Sequence, residues 1–321
     1  MKRSLVLNTA LTVVCLCAVA SPAYAHGSEA KNTEAIIESV TPDLTGASIS
    51  IAAGDSFIVL DVQSGHTAEV HGYSDEPYLR VLADGTVEQN GNSPAVLLNR
   101  TRLADVGGAT LDPTLAPDWS VIGGGGEVAW HDHRIHWMEK STPPTLDEKG
   151  TVQNWSVTIY IDGQPIEVAG RLVLLEQPTW MWWLVALPAV ALVFAFRKSR
   201  AMFALVGGLG LSILAIDAMR MLALPQLGRH TPMVGIAGTV TAIIAFVGLV
   251  NRRQRYTNAL LAGAGTAACL AVYAGIDWMT KAVIPGVSSE WIARIATAST
   301  AGAGVVALYV GVNGALKISQ Q

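Results

Sequence analysis

Three histidines fall within six residues in the stretch Trp130-His131-Asp132-His133-Arg134-Ile135-His136-Trp137-Met138, together with a carboxylate and a thioether and between two indoles. Neutral imidazole is a common ligand for transition metals, and its two distinct nitrogens let one bind while the other is anchored. As a regular strand the stretch puts His131 and His133 on one face and Asp132, Arg134, His136 and Met138 on the other. A turn near Arg134 would bring all three imidazoles together. The expectation is a metal site for copper, with zinc as the alternative, built from His131, His133 and His136, with Asp132 ligating or orienting a ring. The competing reading is a surface strand whose rings make ordinary hydrogen bonds.

The elements that must position this cluster begin after an export signal. Lys2 and Arg3 precede an apolar run over 5–19, and Ala23-Tyr24-Ala25 supplies small residues for cleavage, so 1–25 reads as a signal peptide. Cleavage there leaves His26 as the first residue, where a free amine and a ring nitrogen together can chelate copper. Cys15 and Cys17 depart with the signal and Cys269 lies in an apolar run, which leaves the exported part with no disulfide and no thiolate ligand. Any metal site there is therefore assembled from His, Asp, Glu, Met and the terminal amine.

Residues 26–178 read as an all-β extracytoplasmic domain, an antiparallel sandwich of immunoglobulin type, with a barrel as the alternative. Short β-type runs at 49–51 and 57–62 are split by Ala53-Gly54-Asp55, those at 78–82 and 86–88 by Ala83-Asp84-Gly85, and those at 157–161 and 166–175 by Asp162-Gly163. The segment 105–126 is rich in Gly, Pro and Asp and is expected to be a long loop that delivers the chain to the histidines. No helix-period segment competes in this part. His66 and His71 flank one predicted strand at odd spacing and so lie on opposite faces of it.

Residues 179–321 read as an all-α membrane domain of five transmembrane helices: 180–196, 201–224, 231–250, 257–279 and 291–316. With 51% hydrophobic and only 14% charged residues, part of the chain must live in lipid. Trp180, Trp182 and Trp183 form an interfacial belt at the first span. Basic residues follow the first span (Arg197, Lys198, Arg200) and the third (Arg252, Arg253, Arg255), which makes those loops cytoplasmic, the β domain extracytoplasmic and the C-terminus cytoplasmic. Asp217, Asp277 and His230 then fall in the outer layer of the bundle and form a possible membrane-layer site. The plainer alternative is that Asp217–Arg220 and Glu290–Arg294 are helix ion pairs.

A net charge of −4 without a basic, aromatic-interleaved run excludes nucleic acid as an expected partner. No nucleophile elbow, phosphate loop or HExxH motif is present, so an enzyme is the less favoured class. The order Glu76-Pro77-Tyr78-Leu79-Arg80, then Ser93-Pro94-Ala95 with Leu98-Asn99, then Trp130 through Met138, resembles a family of exported, membrane-anchored actinobacterial-type proteins with no assigned activity. More loosely, His26 with Glu38-Ser39-Val40-Thr41-Pro42 is similar to the opening of CopC, whose membrane partner is the helical CopD. That likeness implies a β-sandwich that binds Cu(II) through a mature N-terminal histidine. Three functions follow: a multi-pass cell-membrane protein that handles copper for a membrane complex or copper-enzyme partner; a structural or assembly subunit in which Trp130 and Trp137 anchor an interface; and a zinc-dependent envelope hydrolase.

Overall fold

A computed structural model describes residues 29–139 and 141–318. The expected signal segment 1–25 and His26 lie outside the described residues. The first part of the chain forms ten strands: β1 (Thr33–Thr41), β2 (Ala47–Ala52), β3 (Phe57–Val62), β4 (Ala68–His71), β5 (Pro77–Val81), β6 (Val87–Asn90), β7 (Trp119–Gly123), β8 (Glu127–Trp130), β9 (Thr151–Ile161) and β10 (Gln164–Leu174). They make a seven-stranded sheet, ordered β1-β10-β9-β4-β5-β6-β7, and a three-stranded sheet, ordered β2-β3-β8, with every pairing antiparallel.

Side chains alternate as a half-buried strand requires. Trp155, Val157, Ile159 and Ile161 of β9 point inward, Ile58, Leu60, Val128 and Trp130 come from the smaller sheet, and all belong to one apolar core. The two sheets thus close on each other as layers of one antiparallel domain. The anticipated hairpins form, and at the β9–β10 turn both Asp162 and Gly163 have positive φ (49° and 75°), as a two-residue turn between right-twisted strands demands. Two features depart from the sequence reading. Within 105–126, Trp119–Gly123 is an edge strand on β6 rather than loop, its exposed Val121 and Ile122 giving no alternating signature. Pro94–Leu98 is a short helix, α1, started by the Ser93 side chain accepting from Ala95 N and by a proline in the first turn.

The second part is helical. It comprises α2 (Ala186–Ala195), α3 (Ala201–Ala223), α4 (Met233–Val250), α5 (Gln254–Ala274), α6 (Asp277–Thr280) and α7 (Glu290–Ile318), with a 3-10 turn over Trp180–Val185 leading into α2. Among the described residues, four helices are long and apolar enough to cross a membrane, and the 16-residue stretch Trp180–Ala195 is a shorter apolar helix beside them. Glycines sit where helix backbones touch. A Cβ on Gly210 would come within 2.7 Å of Gly238 O, and one on Gly265 within 2.7 Å of Gly304 O, so α3–α4 and α5–α7 approach more closely than any side chain allows.

The two parts meet through hydrogen bonds. Lys31 and Val283 exchange both backbone bonds (3.1 and 2.9 Å), and Ala282 N donates to Asn32 Oδ1 at 2.9 Å. Arg294 does not pair with Glu290 as an ion pair; its Nη2 donates to the carbonyls of Lys281 and Ala282, holding that loop up to β1. Above the junction, fully buried Asp55 accepts from Thr33, Arg102 and Lys31, and Lys31 also reaches Ser56. Burial alone would push the Asp55 carboxyl up, but the adjacent Lys31 and Arg102 overcome it and hold Asp55 well below the usual carboxylate range. Its stabilising contribution is therefore present above the unfolded carboxylate pKa of about 3.9 and is lost as pH falls toward the folded value. Asp55→Asn, which removes the buried carboxylate that Lys31 and Arg102 share, is expected to destabilise the protein by about 3–5 kcal/mol. Urea denaturation of the full chain in detergent, followed by tryptophan fluorescence at pH 7, measures this, and a loss within 0.5 kcal/mol of zero, the usual range for an inert surface change, contradicts it.

Candidate metal centre

The histidine segment does not continue β8 as a strand. Asp132 turns it: its Oδ1 accepts from Arg134 N (3.0 Å) and Nε (2.8 Å), and its Oδ2 from Trp130 Nε1 (3.0 Å) and Arg134 Nη2 (2.7 Å). This caps a 3-10 turn over His133–Ile135, whose Ile135 is wholly buried, while Gln153 Nε2 donates to Arg134 O at 3.0 Å from β9. The turn shortens the path between His133 and His136 and cancels the strand alternation. All three rings therefore come to one side, with centroids 4.5–5.0 Å apart, and one nitrogen from each lies within 4.8 Å of the others.

The hydrogen bonds fix which nitrogen each ring offers. A carbonyl only accepts, so the nitrogen facing it carries the proton. His131 Nδ1 faces Ser56 O at 2.6 Å, His133 Nε2 faces Leu98 O at 2.8 Å, and His136 Nδ1 faces Trp137 O at 3.0 Å. A neutral ring has a single N–H, which leaves His131 Nε2, His133 Nδ1 and His136 Nε2 as lone pairs. Two of them, on His133 and His136, face each other at 3.1 Å, and the third, on His131, is buried with no hydrogen-bond partner among the described residues. Lone pairs brought this close repel unless a cation sits among them, and an outer carbonyl on each ring is the usual arrangement around a bound metal.

Electrostatics keep the rings neutral. Burial, with the positive charge of Arg102 nearby, pushes His136 down to about 2; burial, His133, Arg102 and Lys31 push His131 down to about 4; and burial chiefly lowers His133. Near pH 7 the lone pairs are thus free to bind. Tyr73 adds rigidity, its hydroxyl accepting from His133 N at 2.9 Å.

The floor of the centre is the domain junction. Ser56, which anchors His131, follows Asp55, and Phe57 stands edge-on to the His131 ring while its own ring packs against Gly228 of the helical part.

The other expected site residues are placed as follows. Asp132 is 1% exposed with both oxygens engaged by Trp130 and Arg134, so it orients the turn and is not among the groups brought together as ligands. His66 pairs with Asp162, and His71 bridges Glu69 and Asp75, both away from the centre. Asp217 and His230 are joined through Arg220: Asp217 accepts from Arg220 Nε (3.0 Å) and Gly235 N (2.7 Å), and Arg220 Nη2 donates to His230 Nε2 at 3.0 Å. Asp277 does not join them. The fourth long apolar stretch ends at Ala274, ahead of Gly275, and Asp277 opens the separate α6 as an exposed residue. Asp217 and Arg220 thus form the i,i+3 ion pair of the plainer alternative on α3.

Sequence reasoning missed the three carbonyl anchors, which no side-chain pattern announces, and the packing of Met138 against His133. The thioether was visible in the stretch itself. No family model, curated protein or solved structure matches this chain.

Asp132→Asn is expected to lower the thermal midpoint, since the Arg134 and Trp130 donors lose a charged acceptor worth about 1.5–3 kcal/mol. The variant should still take up as much metal as the wild type. Metal analysis beside a melting curve decides this, and metal loss with an unshifted melt would make Asp132 a ligand.

Proposed function

We propose that this is a multi-pass cell-membrane protein whose extracytoplasmic β domain binds copper through His131, His133 and His136, and so serves copper capture, resistance or delivery. The observation that carries the reading is the convergence of three imidazole lone pairs whose N–H groups are all committed to backbone carbonyls. Imidazole sites suit copper and zinc, and a thioether beside them favours the softer metal. A hydrolase reading is less well supported, because a catalytic zinc needs an open position for water and Met138 stands 2.8 Å from His133 Nδ1.

The orientation is read with the β domain outside and the C-terminus in the cytoplasm. The junction loops around Gly228 and Val283 lie at one end of the bundle, and Arg200 Nη1 donates to Leu249 O at the other, beside the basic residues of the loops after α2 and α4. The stretch Trp180–Ala195 serves as the fifth span in this reading, because a 3-10 turn rises more per residue than an α-helix. Six such residues and ten α-helical ones rise about 27 Å, near the roughly 30 Å of a bilayer core. His26, if it is the mature terminus, is an additional copper ligand of the exported part, and the partner is a membrane complex or copper enzyme.

Copper analysis of the full chain purified from membranes, beside a variant with His131, His133 and His136 all changed to alanine, tests the assignment. The wild type is expected to hold one more copper ion per chain after desalting than the variant, with both running alike on gel filtration. Equal copper in the two removes the site.

A further inference from the structure

The nitrogens are not alone in the centre. Met138 Sδ lies 2.8 Å from His133 Nδ1, the same atom that faces His136 Nε2 at 3.1 Å. His133 cannot donate to the sulfur from that atom, because its ring proton is on Nε2 against Leu98 O. Sulfur and nitrogen therefore meet as two electron-pair donors without a hydrogen between them, so the thioether stands beside the same lone pair that faces His136. Met138 is 38% exposed while His131 and His136 are buried, so the thioether closes the centre on its solvent side.

The charge of the donor set narrows the ion. Three neutral imidazoles and a thioether bring no negative charge. The two nearest carboxylates are engaged elsewhere: Asp132 accepts from Trp130 and Arg134, and Asp55 pairs with Lys31 and Arg102 behind Ser56. Buried Phe57, Trp130 and Ile135 line the surroundings. In such a low-dielectric place, with Lys31 and Arg102 close by and no ligand to neutralise it, a second positive charge on the ion is costly. Thioether sulfur adds preference for a soft ion, and Cu(I) is the soft monocation among the metals that imidazole also accepts.

Resting on the copper reading above, we infer that the centre is a Cu(I) site with four ligands, His131 Nε2, His133 Nδ1, His136 Nε2 and Met138 Sδ. The ion arrives already reduced, so no electron transfer by this chain is involved. Met138→Leu keeps the volume of a partly exposed side chain and removes only the sulfur, which makes it a clean probe of ligation.

The test uses the full-length protein in detergent under anaerobic conditions, titrated with Cu(I) against a chromophoric Cu(I) chelator, and with Cu(II) in air. X-ray absorption at the copper edge is recorded for the Cu(I) form. The wild type is expected to show a sulfur scatterer with nitrogen scatterers and to bind Cu(I) in preference to Zn(II). Met138→Leu is expected to lose the sulfur signal and to weaken Cu(I) binding at least 10-fold, the low end of the roughly 10–100-fold that loss of an outer hydrogen-bond partner costs, with Cu(II) binding changed far less. Wild-type spectra without sulfur, equal Cu(I) affinity in the variant, or Zn(II) displacing Cu(I) would overturn the inference while leaving the three-histidine site in place. Uptake of copper in neither oxidation state would instead sink the copper reading itself, and this inference with it.

Discussion

Everything distinctive about this protein depends on three backbone carbonyls, those of Ser56, Leu98 and Trp137. Each holds the N–H of one imidazole and so turns the other nitrogen toward a common point. A histidine free to choose would satisfy both nitrogens with water or side chains, as His71 does between Glu69 and Asp75. At the centre that choice has been removed. Burial keeps the rings neutral, and the carbonyls fix the tautomers. What remains is a set of lone pairs that a cation stabilises, the one on His131 having no hydrogen-bond partner among the described residues.

The carbonyls come from three different places in the chain, which is why the whole β domain is needed to make the site. Leu98 ends α1, Ser56 immediately precedes β3, and Trp137 follows the 3-10 turn that Asp132 caps. Ser56 also ties the centre to the helical part, since the Asp55 ion cluster beside it includes Lys31, whose backbone pairs with Val283. The centre thus sits where the β domain meets the bundle of apolar helices.

The sequence was most legible where local chemistry decides structure. Hairpins at Asp84-Gly85 and Asp162-Gly163 follow from residues that tolerate positive φ, and long apolar helices follow from hydropathy. Legibility fell where distant parts of the chain decide. Strand β7 has no alternating pattern because it is an exposed edge held by β6, and α1 is too short for a helical period to register. Asp132 was open by its neighbours to ligating or orienting a ring, and its carboxylate is held by Trp130 and Arg134. The histidines clustered in sequence, but only the turn at His133–Ile135, stabilised by Gln153 from β9, makes them cluster in space. Asp277 illustrates the reverse case: hydropathy ran through Gly275, while the helix did not.

The central claim is geometric, that one ion is shared by all three imidazoles. Its most direct test is a crystal structure of the copper-loaded protein with anomalous data collected on both sides of the copper absorption edge. The account predicts a single strong anomalous peak bonded to His131 Nε2, His133 Nδ1 and His136 Nε2, with the opposite nitrogens still on the carbonyls of Ser56, Leu98 and Trp137. A peak at any other group of residues, or rings whose lone pairs face apart around an ordered water, would contradict it.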